Sequence, residues 1–114
     1  MAGLTTHVLD TANGCPAAGM GVRLLDDAGA VLAAVRTNAD GRCDGPLIAP
    51  GDMRTGRFVL QFDVAAYYRG RGMALPEPPF LDVVSIAFGI ADAASHYHVP
   101  LLVSPYGYST YRGS

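Results

Sequence analysis

The sequence predicts an all-β domain, a sandwich or barrel of short antiparallel strands, and three observations predict it. Gly, Pro, Asn and Asp punctuate the chain roughly every eight to fifteen residues, the spacing of short strands joined by turns. β-branched and aromatic runs fill the intervals, and such side chains suit a pleated, half-buried surface. Several of these runs alternate apolar with polar residues, which sends successive side chains to opposite faces of a sheet. At 114 residues, the whole of 1–114 is the size of a single domain, with an ordinary core and no need of staples.

Taken in order, the candidate strands are Leu4–Leu9, Gly21–Leu25, Val31–Thr37, a short one around Arg42–Cys43, Arg57–Asp63, Asp82–Ile90, His96–Val103 and Tyr106–Tyr111. "DDAG" at Asp26–Gly29 and "NADG" at Asn38–Gly41 read as turns, because Gly, Asn and Asp accept the positive φ that tight hairpins need. "SPYG" at Ser104–Gly107 offers Pro at the second turn position, where its fixed φ fits. One segment departs from the β pattern. After Asp63, "VAAYYRGRG" has paired alanines, a carboxylate placed to cap in front and glycines behind, which predicts a short helix at about 64–69. "MALPEPPF" at Met73–Phe80 is a Pro-rich connection.

Composition narrows the function. Net charge is −2 with no block of like charges, so neither nucleic acid nor an anionic membrane is an expected partner. No apolar run approaches the ~20 residues that span a bilayer, and the N-terminus lacks a signal-peptide pattern; cytoplasmic residence is the default expectation. Charged residues make up 16% of the chain, against roughly 25% in a typical soluble domain. That leaves too little charge to cover a small sphere, and one face is expected to be buried by self-association. Cys15 and Cys43 form no C-x-x-C pair and join no histidine at zinc-like spacing; both are expected to be reduced.

Alternation then sorts the histidines. In "SHYHVPLLV", Tyr97, Val99, Leu101 and Val103 share the core face, and His96, His98, Pro100 and Leu102 share the other. In "LTTHVLD", Leu4, Thr6 and Val8 point one way and Thr5, His7 and Leu9 the other. His7 and His98 therefore lie on outward faces among apolar neighbours. The plain reading of each is a solvent-edge histidine, but faces this greasy call for a covering sheet. Alternation alone does not say whether the two strands adjoin. Arg42, straight after "NADG", is equally plain as a hairpin guanidinium, and no internal feature ranks it above the other arginines. Lysine is absent, so every cation is a planar fork suited to a flat polar ligand. The ending Tyr111-Arg112-Gly113-Ser114 packs an aromatic, a cation, a glycine and a hydroxyl where most chains fray.

"LTTHVLDTANGCPAAGMGVRL", "TNADGRCDGPL" and "HYHVPLLVSPYGYSTYRGS" closely resemble the transthyretin-like 5-hydroxyisourate hydrolase family, over essentially the whole chain and in order. The terminal Tyr-Arg-Gly-Ser, with the chain stopping there, is the most specific of these motifs. "HVLD" followed by "G-x-P" is shared with transthyretin-type carriers and does not separate enzyme from carrier. The resemblance implies a two-sheet prealbumin-like sandwich of about eight strands with one short helix. It also implies a homotetramer built as a dimer of dimers, with active sites in the channel between dimers. It implies His7, Arg42, His98 and Ser114 as catalytic residues, and His7, Arg42, Tyr111, Arg112 and Gly113 as substrate-binding ones. No cofactor and no metal are implied; two histidines beside a cation, without a good third ligand, suit zinc poorly.

Such residues match the chemistry implied. Opening 5-hydroxyisourate needs a base for water, positive charge at a growing oxyanion and a proton for the departing ring nitrogen. Histidine serves the first and last because it exchanges protons near neutrality. Arginine serves the second, staying charged and offering parallel donors. Tyr111 would floor the pocket and Ser114 would bond water or substrate. Which histidine is base and which is acid stays open. The competing readings are a transthyretin-like binding module using the same channel without catalysis, and an immunoglobulin-like interaction domain.

Overall fold

The computed structural model describes residues 2–113. Among them, eight strands form two four-stranded sheets packed face to face, with one short α-helix and a single 3-10 turn at Pro50–Asp52. The strands are β1 (Leu4–Asp10), β2 (Cys15–Pro16), β3 (Gly21–Asp26), β4 (Val31–Arg36), β5 (Gly56–Asp63), β6 (Val83–Ile90), β7 (Tyr97–Ser104) and β8 (Gly107–Thr110); α1 (Val64–Gly70) follows β5 directly. One sheet runs β2-β1-β7-β8 and the other β4-β3-β5-β6. The inner faces meet in a core that includes Leu4, Val8, Leu24, Leu60, Phe62, Leu101 and Val103, all fully buried. The alternation expected for β1 holds throughout, and in β7 Tyr97, Val99, Leu101 and Val103 are buried while His98 and Leu102, with His96 just before the strand, are half-buried; Pro100, expected on the outer side with them, is buried as well.

Three details differ from the sequence expectation. Arg42 is not in a strand; it makes an isolated antiparallel bridge to His7. The turn ahead of it consumes the local hydrogen bonds, Asn38 N–H donating to Arg42 O at 2.7 Å and Gly41 N–H to Asn38 O at 2.9 Å, so no ladder extends. β2, only two residues long, is too short to leave an alternation pattern. And β1 pairs with β7 in parallel, although every other ladder is antiparallel. The crossover from β1 to β7 passes through the whole second sheet.

The helix is where predicted, but it is capped differently. The Asp63 side chain makes no capping bond; its two oxygens accept from Arg23 at 2.9 and 2.7 Å. Gly21 leaves the carboxylate room, since a Cβ there would collide with Asp63 Oδ2. The Val64 and Ala65 N–H groups instead donate to Asp82 O, each at 3.1 Å. At the other end of β1, Asp10 is buried and ties the helix to the first sheet. Its carboxylate accepts from the Tyr67 and Tyr68 hydroxyls, both at 2.8 Å, and from Asn13 Nδ2 at 2.7 Å. Burial raises the Asp10 pKa, but the bonds from Asn13, Tyr67 and Tyr68 outweigh it and hold the group below its ordinary value.

Candidate active site

The parallel register of β1 and β7 decides what the histidines can do. Thr5 lies opposite His98 and His7 opposite Pro100, so His7 and His98 share the outer face with a two-residue offset. Strand spacing and rise put their Cα atoms about 8 Å apart, within reach of one small molecule. On the side of β1 away from β7, beyond the two-residue β2, the His7–Arg42 bridge brings the guanidinium-bearing residue alongside. Gly41 makes that approach possible: its φ is +74°, and a Cβ there would strike Val8 O. Val8 N–H then donates to Gly41 O at 2.8 Å. On the side of β7 away from β1, past the end of β8, Gly113 bridges His98, its N–H donating to His98 O at 2.7 Å. Arg42, His7, His98 and Gly113 thus lie in a row across one sheet face.

The orientation of each ring follows from its partner. His7 Nε2 lies 2.9 Å from Asp40 O, and a carbonyl only accepts, so Nε2 carries a hydrogen. In the neutral ring this leaves the Nδ1 lone pair free to take a proton. His98 Nδ1 lies 2.8 Å from Thr5 Oγ1, and the same oxygen lies 3.1 Å from His96 Nε2. The His98 pKa is lowered by burial first, then by Arg42, His7 and His96, with the Thr5 main chain acting the other way. The positive charges of Arg42 and His7 thus add to burial in disfavouring a proton on this ring.

The remaining expected residues divide. Tyr111 is 60% exposed and lines a groove of about 240 Å³ that runs between β6 and the C-terminal segment, past Phe88, Tyr97 and Arg112. Arg112 points away from the imidazoles: its guanidinium lies 4.0 Å from the Tyr97 ring centroid and donates to His96 O at 3.1 Å. It clamps the last segment to β7. Ser114 lies outside the described residues. Among those residues, no group of His, Cys, Asp and Glu side chains gathers that could hold a metal, both cysteines are free, and no helix is long and apolar enough to cross a membrane.

Sequence reasoning missed Thr5, His96 and the Asp40 carbonyl as supports of the two rings. Alternation does assign Thr5 to the face of His7, and His96 to that of His98. The bonds joining them depend on a parallel pairing that alternation does not reveal.

Comparisons with known proteins identify the fold and the family. The protein is 60% identical to the 5-hydroxyisourate hydrolase of Mesorhizobium japonicum over 114 residues, covering 97% of this chain and 91% of that protein. The solved structure of Klebsiella pneumoniae 5-hydroxyisourate hydrolase superposes with a TM-score of 0.85 at 35% identity, with both chains fully covered. A sea bream transthyretin solved in complex with thyroxine reaches the same TM-score at 26% identity, over 98% of this chain and 95% of its own. With a family profile matching residues 4–113 and the fold and full-length likenesses above, the chain belongs to the HIUase/Transthyretin family.

Proposed function

We propose that this protein is a hydrolase that opens the ring of 5-hydroxyisourate to 2-oxo-4-hydroxy-4-carboxy-5-ureidoimidazoline, a step of urate and purine degradation. The observation that carries the reading is the placement of His7, Arg42 and His98 side by side, by the parallel register of β1 and β7 and the His7–Arg42 bridge. Full-length hydrolase relatives support it.

Water attacks a ring carbonyl, forming a C–O bond and a tetrahedral oxyanion. The C–N bond then breaks, and the departing nitrogen takes a proton. His7 and His98 hold the water and accept its proton. His7 suits this because its Nε2–H is committed to Asp40 O, which leaves Nδ1 as the basic atom. Arg42 orients the substrate and stabilises the oxyanion, as a permanent cation with parallel donors. Tyr111 is assigned the ring contact that the family resemblance implies, the backbone of Gly113 borders the site beside His98, and Arg112 acts by fixing that segment. Ser114 is assigned the water or substrate contact that the family resemblance implies. No step calls on a metal or cofactor.

The reading includes a cytoplasmic homotetramer, a dimer of dimers. β6 and β8 are the end strands of their sheets, and the groove lined from both strands and their ends brings these edges side by side. A second copy pairing there would extend both sheets at once. The outer face of β1 and β7, with His7 and His98 half-buried on it, would be roofed by a second dimer.

The test is an ultraviolet assay of freshly generated 5-hydroxyisourate with and without the protein. Accelerated loss of substrate supports the hydrolase. An unchanged decay together with tight binding of an aromatic ligand would replace it with a carrier of the transthyretin type.

A further inference from the structure

One side chain on the catalytic face is not explained by the mechanism above. Thr5 is the second residue of β1, where valine would serve the sheet equally well. Its hydroxyl caps no helix and closes no turn. It touches two imidazoles, His98 Nδ1 at 2.8 Å and His96 Nε2 at 3.1 Å. A threonine hydroxyl carries one hydrogen and accepts through its lone pairs. When it donates to one ring it must accept from the other, so the tautomers of the two rings are coupled.

We infer that Thr5 and His96 form a proton relay behind His98, with Thr5 positioning the His98 ring and His96 holding the proton that the reaction displaces. The inference rests on the site reading above, in which His98 takes part in moving the water's proton. In the resting state His98 Nδ1–H donates to Thr5 Oγ1, and the Thr5 hydroxyl donates to His96 Nε2. As water attacks, its proton passes to His98 Nε2. The Nδ1 proton moves to Thr5 Oγ1, and the Thr5 proton moves to His96 Nε2. His98 and Thr5 end neutral, and His96 becomes the imidazolium. His98 Nε2–H then protonates the departing nitrogen, and the relay runs backwards to reset.

Two further observations favour this route. Burial, followed by the charges of Arg42, His7 and His96, disfavours a proton lodged on His98 itself, and the 2.8 Å contact with Thr5 Oγ1 gives that proton a way out. Thr5 and His96 also line a cavity of about 530 Å³ with Ala2, Gly3, Pro46 and Pro50. Water there can exchange protons with His96.

The experiment combines steady-state kinetics on Thr5→Val, Thr5→Ser, His96→Gln and Thr5→Val/His96→Gln with nitrogen-15 imidazole spectra of the same proteins. Thr5→Val should lower kcat at least ~10-fold, below the full loss of a general base, with KM changed by less than about twofold. Thr5→Ser should restore most of that rate. Gln at position 96 can still accept from Thr5 but cannot carry the proton, so His96→Gln should match Thr5→Val. The double variant should be no slower than either single one, because both interrupt one chain. The spectra should show His98 protonated at Nδ1 in the parent and a shifted tautomer balance in Thr5→Val. Parental kcat in Thr5→Val, no recovery in Thr5→Ser, or additive losses in the double variant would each overturn the relay. Should the parent protein fail to hydrolyse 5-hydroxyisourate, the functional reading falls. The spectra would still judge the coupling by whether Thr5→Val changes the His98 tautomer.

Discussion

At Gly113 an added Cβ would lie 2.8 Å from His98 Cδ2 and 3.4 Å from its Cβ and Cγ. No rotation of the new methyl relieves that contact, since a Cβ position is set by the backbone. Gly113→Ala should push the ring off its line to Thr5 and lower kcat about 10- to 100-fold, the effect expected of a sub-ångström to ångström misplacement of a catalytic group. The thermal midpoint should move little, because Gly113 holds only the end of the segment. Stopped-flow rates beside a melting curve would separate the two effects; a normal rate would mean that the ring tolerates displacement. His98→Asn should cost at least ~10²-fold in kcat/KM, the scale of a general base or acid, and near-parental turnover would remove His98 from the mechanism. At this scale, alternation in "LTTHVLD" and "SHYHVPLLV" was enough to send His7 and His98 to the outer face. It could not raise Arg42 above the other arginines, because its position depends on a turn folding it against β1. Nor could it foresee that Arg112 would be taken up by the Tyr97 ring.

Among the elements, β1 carries the most consequence, with the site at its centre and Asp10 at its end. Both carboxylate oxygens of Asp10 accept from donors: Oδ1 from the Tyr68 hydroxyl and the Ala12 and Asn13 N–H groups, Oδ2 from the Tyr67 hydroxyl and Asn13 Nδ2. Burial, then the charge and bonds of Asp10, pushes the Tyr67 hydroxyl up to about 12 and raises Tyr68 too, so both remain donors. Asp10→Asn would turn an amide NH₂ toward one of these donor sets and should destabilise the fold by about 2 to 4 kcal/mol, measurable by urea titration. The pH dependence has a definite sign. The folded pKa of Asp10 lies below the ordinary 3.8, so its stabilisation is complete above that value and is lost as pH falls through the folded value. Asp63, held down first by its Arg23 bond, acts in the same window. Thermal midpoints should therefore hold above pH ~5 and drop below pH ~4. Asp10→Asn should show a lower midpoint and a shallower acid limb; an equally steep limb would assign the acid sensitivity elsewhere. The helix after Asp63 was legible from its alanines and flanking glycines. Its cap was not, because whether a carboxylate caps or pairs with Arg23 depends on strand neighbours 40 residues apart.

For the whole molecule, the expectation is an assembly of four times the 11.9 kDa chain mass, which sedimentation at micromolar concentration would check; a monomer would leave the outer face of β1 and β7 uncovered. Gly113 is bonded to His98, so residues appended after Ser114 would start within a residue of the catalytic face. A C-terminal tag should cut kcat/KM sharply with the assembly intact, and an N-terminal tag should matter less. Equal behaviour of the two tags would refute that asymmetry.

By itself the sequence determined the class of fold, the faces of its strands, the position of its helix and a strong family likeness. Each of these follows from local rules of period, turn chemistry and motif order. Only the tertiary structure decided that β1 lies parallel to β7, that the "NADG" turn sets Arg42 beside His7, and that one threonine hydroxyl joins two imidazoles. Those contacts link residues 35 to 93 positions apart. Alternation records which way a side chain points and carries no information about which strand will lie next to it.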